Sequence, residues 1–221
     1  AVAAGILLFA AAGFFWIWFA PCSLGGCAPL EELAKIEMES SSLLDVSGAP
    51  FAQLEGVNRR IVPLDSLPSF VPQAFIAIED RRFYQHHGLD FRRVVGALLG
   101  NLTSGRIVAG GSTITQQLAR NLFPGELPPT ERSLRRKVLE ARVARQIERT
   151  LPKDSILELY LNQIYLGNGA YGVEAASSLY FGKRTAELTL AEAATLAAIP
   201  QSPSLVNPFD DVEGAKARRD L

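Results

Sequence analysis

Three stretches of this sequence concentrate side chains that can do chemistry. The first is Ala77-Ile78-Glu79-Asp80-Arg81-Arg82-Phe83-Tyr84-Gln85-His86-His87-Gly88-Leu89-Asp90, where an acid follows an apolar helical face and leads into aromatics and a glycine turn. A carboxylate so placed, in a partly apolar cleft, can serve as a general base. The alternative is a helix C-terminus with solvated charges. His86, His87 and Asp90 also suggest metal ligands, but adjacent helical residues point apart, which makes His86 and His87 poor partners for one ion.

The second stretch is Gly110-Gly111-Ser112-Thr113-Ile114-Thr115-Gln116-Gln117-Leu118-Ala119-Arg120-Asn121. Its glycines read as a flexible loop entering a helix, whose free N–H groups can hold an anion. Thr113, Gln117, Arg120 and Asn121 recur at three- and four-residue spacing, opposite Ile114, Leu118 and Leu122. Such a polar stripe suits sugar hydroxyls and phosphate, and a solvated helix face is the plainer alternative. The third stretch, 131–149, sets Arg132, Arg135, Arg136, Lys137, Arg142, Arg145 and Arg149 against Glu131, Glu140 and Glu148, which is 7 − 3 = +4 in a chain of net charge −1. This density suits a multiply charged phosphate group. A basic helix near anionic lipid headgroups is the alternative, with Arg136 and Glu140 as an ordinary surface i, i+4 pair.

The elements that must carry these residues are mainly helical. Phe75 and Ile78 share a face just before Glu79, and Ile114, Leu118 and Leu122 fall at i, i+4, i+8. Leu134, Val138 and Ala141 lead a long helix that Thr150-Leu151-Pro152 stops; Ile156, Tyr160 and Ile164 line the next, which Gly167-Asn168-Gly169 ends. Thr189-Leu190-Ala191-Glu192 is a capping-box start for an Ala-rich helix running to Pro200. Residues 53–66, broken by Gly56 and Pro63, support an edge strand at most.

Residues 1–30 hold no Asp, Glu, Lys or Arg, and the first twenty are continuously apolar. At about 1.5 Å per residue they reach roughly 30 Å, enough to span a bilayer's hydrocarbon core. Trp16 and Trp18 suit the interface and Pro21 ends the run. Its length favours a retained anchor over a cleaved signal peptide. Cys22 and Cys27 follow in a Gly-rich turn, without His for a zinc site; a small disulfide loop and two free thiols both remain open. With 221 residues, 48% of them apolar, the chain has material for one ordinary domain plus a small appendage, and disorder is excluded. The balanced charge gives no footprint for nucleic acid.

Taken in order, Glu79-Asp80-Arg-Arg-Phe83-Tyr-Gln-His86, Gly111-Ser-Thr-Ile-Thr-Gln-Gln117, Arg136-Lys137-Val-Leu-Glu140, Ile156-Leu-Glu158-Leu-Tyr160-Leu-Asn162-Gln-Ile-Tyr165 and Leu190-Ala-Glu192-Ala-Ala resemble the five motifs of the bacterial peptidoglycan glycosyltransferases, glycosyltransferase family 51. That family comprises the N-terminal module of class A penicillin-binding proteins and the monofunctional transglycosylases. The resemblance runs from about Val57 to Arg219. One departure is Phe123-Pro-Gly-Glu-Leu-Pro-Pro-Thr130, several residues longer than the family's usual stretch.

The resemblance implies a mainly α, lysozyme-like helical domain over 53–221, with a smaller membrane-proximal subdomain around 103–135. Residues 1–20 are then one transmembrane helix and 21–52 a stalk. The implied location is the bacterial cytoplasmic (inner) membrane, single-pass, with the domain on the extracytoplasmic, periplasmic face. The chain reads as a truncation, because in class A proteins a similar end leads on towards a transpeptidase domain. The implied substrates are lipid II and the growing glycan strand, joined β-1,4 with inversion and release of undecaprenyl pyrophosphate; other cell-wall synthesis proteins are candidate partners, and nucleic acid is not.

On the same grounds Glu79 and Glu140 are the implied catalytic carboxylates, Glu79 as general base and Glu140 orienting a basic residue or metal near the leaving group. Arg120, Arg136 and Lys137 match pyrophosphate-binding positions, and Asp80, Phe83, His86, Thr113, Gln117 and Asn121 match positions lining the cleft. No metal ligand is assigned, and a divalent cation (Mg or Mn) at the pyrophosphate is left open. Two rivals stand beside this reading. One is a lysozyme-like hydrolase or lytic transglycosylase, which needs no phosphate-matching cluster; the other is an inactive wall-synthesis scaffold.

Overall fold

The structure, a computed structural model, describes residues 42–44, 46–47, 50–53, 58–94, 96, 111–128, 131, 133–203, 205 and 207–220. The expected anchor, Cys22, Cys27, Arg132 and residues 103–110 of the expected subdomain lie outside the described residues. The helices with both ends described are α1 (Phe70–Glu79), α2 (Ile114–Leu122), α3 (Leu134–Thr150), α4 (Lys153–Gln163), α5 (Val173–Phe181), α6 (Leu190–Ala198) and α7 (Val212–Arg219). The strands are short. β1 (Ser42–Leu44) pairs antiparallel with β2 (Pro50–Gln53), and β3 (Asn58–Arg59) pairs parallel with β4 (Ala170–Tyr171). Among the described residues no helix is long and apolar enough to cross a membrane.

Local chemistry sets several helix ends where the sequence places them, but α4 stops at Gln163, with Ile164 already extended, short of Gly167-Asn168-Gly169. Thr113 Oγ1 accepts the Gln116 N–H at 3.2 Å while Gln116 Oε1 accepts the Thr113 N–H at 3.0 Å, a capping box that opens α2. Thr189 and Glu192 form the same box at the start of α6. Ser133 Oγ accepts the Arg136 N–H at 3.1 Å to open α3, which ends at Thr150 ahead of Pro152, the N-cap of α4. The chain then turns at Gly167, where φ is +82° and a side chain would bring Cβ to 2.5 Å from the Pro203 carbonyl oxygen. Only glycine fits there. The two-residue β4 just after this turn is too short to show a period of two.

Phe75, Ile114, Leu118, Ile147, Ile156, Tyr160, Leu161 and Leu196 have no exposed surface and form the core. Each such apolar side chain contributes roughly 1.5–3 kcal/mol of burial. Helix α1 packs on α6, and α2 packs on both α3 and α4. That double packing removes the alternative of a solvated face over most of α2: Ile114 through Ala119 are all buried, polar residues included, and Arg120 and Asn121 are half-buried. It also shifts the inward face of α3. Leu134 is 86% exposed, whereas Arg136, Glu140, Val143 and Ile147 are buried. A helix whose neighbour carries polar groups turns its own polar groups towards it, and hydrophobic spacing alone does not reveal this.

Candidate active site

Glu79 is the last residue of α1 and only 9% exposed. Its Oε2 accepts a hydrogen bond from Gln117 Nε2 of α2 at 2.7 Å, and its backbone carbonyl accepts one from the Arg93 guanidinium. A cation on the terminal carbonyls of a helix also complements the negative end of its dipole. Gln117 Oε1 in turn lies 3.4 Å from the hydroxyl of Tyr160 on α4. Burial raises that phenol well above its ordinary pKa; the nearby Glu79 and Asp80 charges act in the same direction and Arg120 opposes them. The hydroxyl is therefore a donor throughout the physiological range.

Asp80 has left the helix and points its carboxylate elsewhere. It accepts from His86 Nε2 at 2.9 and 3.1 Å and from the backbone N–H of Ile114, the first residue of α2, at 3.1 Å. One buried carboxylate thus fastens the end of α1 to the start of α2, where negative charge is favoured. Thr113 Oγ1 donates to the Gly88 carbonyl at 2.7 Å besides capping α2. Asp80, Phe83 and Thr113 have no exposed surface at all. Phe83 lies within the core and beneath the Lys153 ammonium at 4.2 Å. His86 is 8% exposed, while its neighbour His87 is exposed. Asp90 pairs with Arg82 instead, Arg82 Nε donating to Oδ2 at 2.8 Å.

The second group is built around Glu140, which has no exposed surface. Arg136 Nη1 donates to its Oε1, Lys137 Nζ to its Oε2 at 2.6 Å, and Arg120 Nη1 stands 3.6 Å from Oε1. The Arg136–Glu140 pair is therefore buried, against the alternative of an ordinary surface pair. Three cations surround one carboxylate, so positive charge is left over. Lys137 is the most open of the three, with its side chain 43% exposed, and it also donates to Ser112 Oγ at 2.9 Å. Asn121 Nδ2 and Arg136 Nε are buried donors with no partner among the described residues.

Helix α2 joins the two groups. Gln117 reaches Glu79 and Arg120 reaches Glu140, three residues and so about 4.5 Å of rise apart. Of the residues expected from sequence, Glu79, Gln117, Arg120, Arg136, Lys137 and Glu140 converge along this helix. Ser112, Arg93 and Tyr160 were not foreseen in these roles. Sequence spacing puts Tyr160 on the apolar face of α4, although a tyrosine there carries a polar tip that needs a partner. Two cavities of about 590 and 600 Å³ share Arg82, Asp90 and Arg92 in their walls, and neither is lined by Glu79 or Glu140. The site is defined by the carboxylates and cations. No group of three or more His, Cys, Asp and Glu side chains is placed to hold a metal ion among the described residues, and both Glu140 oxygens face cations.

The Transglycosylase family model matches residues 47–221. Penicillin-binding protein 1A of Aquifex aeolicus is 51% identical over 83% of this chain and 25% of its own length. Penicillin-binding protein 1F of Bacillus subtilis is 44% identical over 86% and 26%, and penicillin-binding protein 1A of Escherichia coli is 52% identical over 75% and 19%. The chain thus spans about a quarter or less of the length of these relatives. A solved structure of penicillin-binding protein 1A from Haemophilus influenzae aligns with 82% of this chain and 17% of its own at 25% identity and TM-score 0.41, a likeness too slight to add to the family match. The chain belongs to the Transglycosylase family, and the domain it carries is a peptidoglycan glycosyltransferase.

Proposed function

We propose that this domain polymerises lipid II into β-1,4-linked glycan with inversion. Glu79 takes the proton from the 4-hydroxyl of the acceptor's GlcNAc as that oxygen bonds to C1 of the donor's MurNAc. The bond from C1 to the phosphate oxygen breaks, and undecaprenyl pyrophosphate leaves as an anion. A sugar hydroxylate would need protonation on leaving; a pyrophosphate needs cations. The observation that carries the reading is the placement by α2 of a carboxylate with a neutral donor beside a surplus of positive charge. Lys137 and Arg136 take the pyrophosphate oxygens, Arg120 lies between the two groups, and Glu140 holds all three cations in place. His86 and Asn121 sit beside the substrate, and Asp80, Phe83 and Thr113 support them. The residues around Glu140 supply cations where a metal would need ligands, so no step here runs through a metal ion.

The larger setting belongs to the same proposal. Family membership supports a lysozyme-like fold, a membrane-facing subdomain around 103–135, and a domain over 53–221 on a stalk (21–52) behind a single transmembrane helix (1–20). The domain then works on the extracytoplasmic face of the bacterial cytoplasmic membrane, beside other cell-wall synthesis proteins. The test is incubation with labelled lipid II and, separately, with finished lipid-free glycan. Polymer growth with release of undecaprenyl pyrophosphate is expected. Cleavage of the finished glycan, with no growth from lipid II, would make the domain a hydrolase.

A further inference from the structure

We propose that Tyr160 is a positioning residue for proton transfer at Glu79, acting through the side-chain amide of Gln117. The proposal rests on the reading of Glu79 as general base. Tyr160 lies wholly buried on α4, its ring edge-on to Phe75 of α1 with centroids 6.2 Å apart. A buried phenol keeps its hydroxyl only where it finds a partner, and here that partner is Gln117 Oε1. The two ends of a carboxamide are not interchangeable: one accepts and the other donates. Once Oε1 faces the tyrosine hydroxyl, Nε2 faces the Glu79 carboxylate and donates to it. Turned half round, the amide would set oxygen against oxygen at Glu79. The hydroxyl thus selects which face of Gln117 the base meets, and it fixes the carboxylate in one orientation towards an incoming sugar hydroxyl. The buried phenol stays protonated and keeps donating across the working range of pH.

A tyrosine that merely packed would need only its ring, so Tyr160→Phe isolates the hydroxyl. The charged groups around Glu79 remain as they were: Asp80 beside it, Arg93 on its carbonyl and Arg120 on α2. Polymerisation of labelled lipid II is followed against pH for the wild type, Tyr160→Phe, Gln117→Leu and the double variant. Tyr160→Phe is expected to lower kcat about three- to tenfold, the scale of one neutral hydrogen bond, with KM within about twofold. The acidic limb of kcat/KM should move to higher pH, since a carboxylate deprived of a donor holds its proton more tightly. In the double variant the two losses should not add. Protection of the Gln117 side-chain amide from hydrogen exchange, read by NMR, should fall in Tyr160→Phe, a readout independent of turnover. Additive losses, an unmoved acidic limb or unchanged protection would each overturn the proposal. Glu79→Gln is the control: normal polymerisation by it removes the base assignment itself, whereas an inert Glu79→Gln beside a Tyr160→Phe of wild-type kinetics removes only the role of Tyr160.

Discussion

Glu79 and Glu140 are the same residue type, both buried and both reached from α2, yet they are surrounded in opposite ways. The side-chain donor at Glu79 is a neutral amide from Gln117, whereas Glu140 is enclosed by Arg120, Arg136 and Lys137. A carboxylate without a cation in contact can take up a proton during a reaction. One between three cations works as the anchor that keeps them together. Residue type proposes a chemistry, and the partners decide it. Removing each group in turn tests this difference.

The largest effect is expected at Glu79. Glu79→Gln keeps the shape and a hydrogen-bonding end for Gln117 but removes the base, and should lower polymerisation of lipid II about 10²–10⁴-fold while thermal melting changes little. Near-normal glycan synthesis would assign the proton to another residue. Glu140→Gln should behave differently, because it strands Arg136 in a buried site beside two other cations. Breaking a buried pair typically costs about 3–5 kcal/mol, so this variant should lose stability as well as turnover. If it melts like the wild type and loses only activity, the anchoring role is wrong. Lys137→Ala comes next. It is the most exposed cation of the three, and Glu140 keeps two partners without it. Activity should fall about 10- to 150-fold with the fold intact, the worth of one charge-assisted contact to phosphate. Lys137→Arg should recover only part, since a planar fork does not replace a point charge. Lys137→Ala with unaltered kinetics would place the pyrophosphate elsewhere.

Much of this was legible before the structure, for reasons that differ by element. The start of α6 and the end of α3 follow from the Thr189–Glu192 capping box and Pro152, which act over three or four residues. Glu79, Lys137 and Glu140 were visible because their motifs are dense in charge. What escaped was the direction each helix faces. Hydrophobic spacing reports which side avoids water, and the polar side of α2 avoids it too, because Asp80, Glu148 and Tyr160 satisfy it: Thr115 Oγ1 donates to Glu148 at 2.5 Å. The same limit applies to α3, where hydrophobic spacing groups Leu134 with Val138 and Ala141, yet Leu134 is exposed and Arg136 is buried. A polar interior is written in pairs from distant parts of the chain, such as His86 with Asp80 or Tyr160 with Gln117, and no local period records such pairs.

A third buried carboxylate sharpens the comparison with the smallest effect. Asp90 is 6% exposed and accepts from Arg82 and from the Arg93 N–H at 3.0 Å. Burial alone would raise its pKa, but the Arg82 hydrogen bonds, the Arg93 N–H and the Arg82 and His86 charges outweigh that and hold it below its usual value. The sign then follows from linkage: a group whose folded pKa is depressed stabilises the fold above its unfolded pKa of about 3.9, and that stability is lost as pH falls through the folded value. Asp90→Asn should therefore lower Tm by a few degrees near pH 7, on the order expected for about 1 kcal/mol in a domain of this size. The gap should narrow below about pH 4 and close as the wild-type carboxyl becomes protonated. Because Asp90 pairs with Arg82 and not with the cations around Glu140, polymerisation at neutral pH should change far less than in Lys137→Ala. Melting curves from pH 2 to 7 for both proteins provide the check. A gap that stays constant over that range would mean that shape, and not charge, is what Arg82 reads in Asp90.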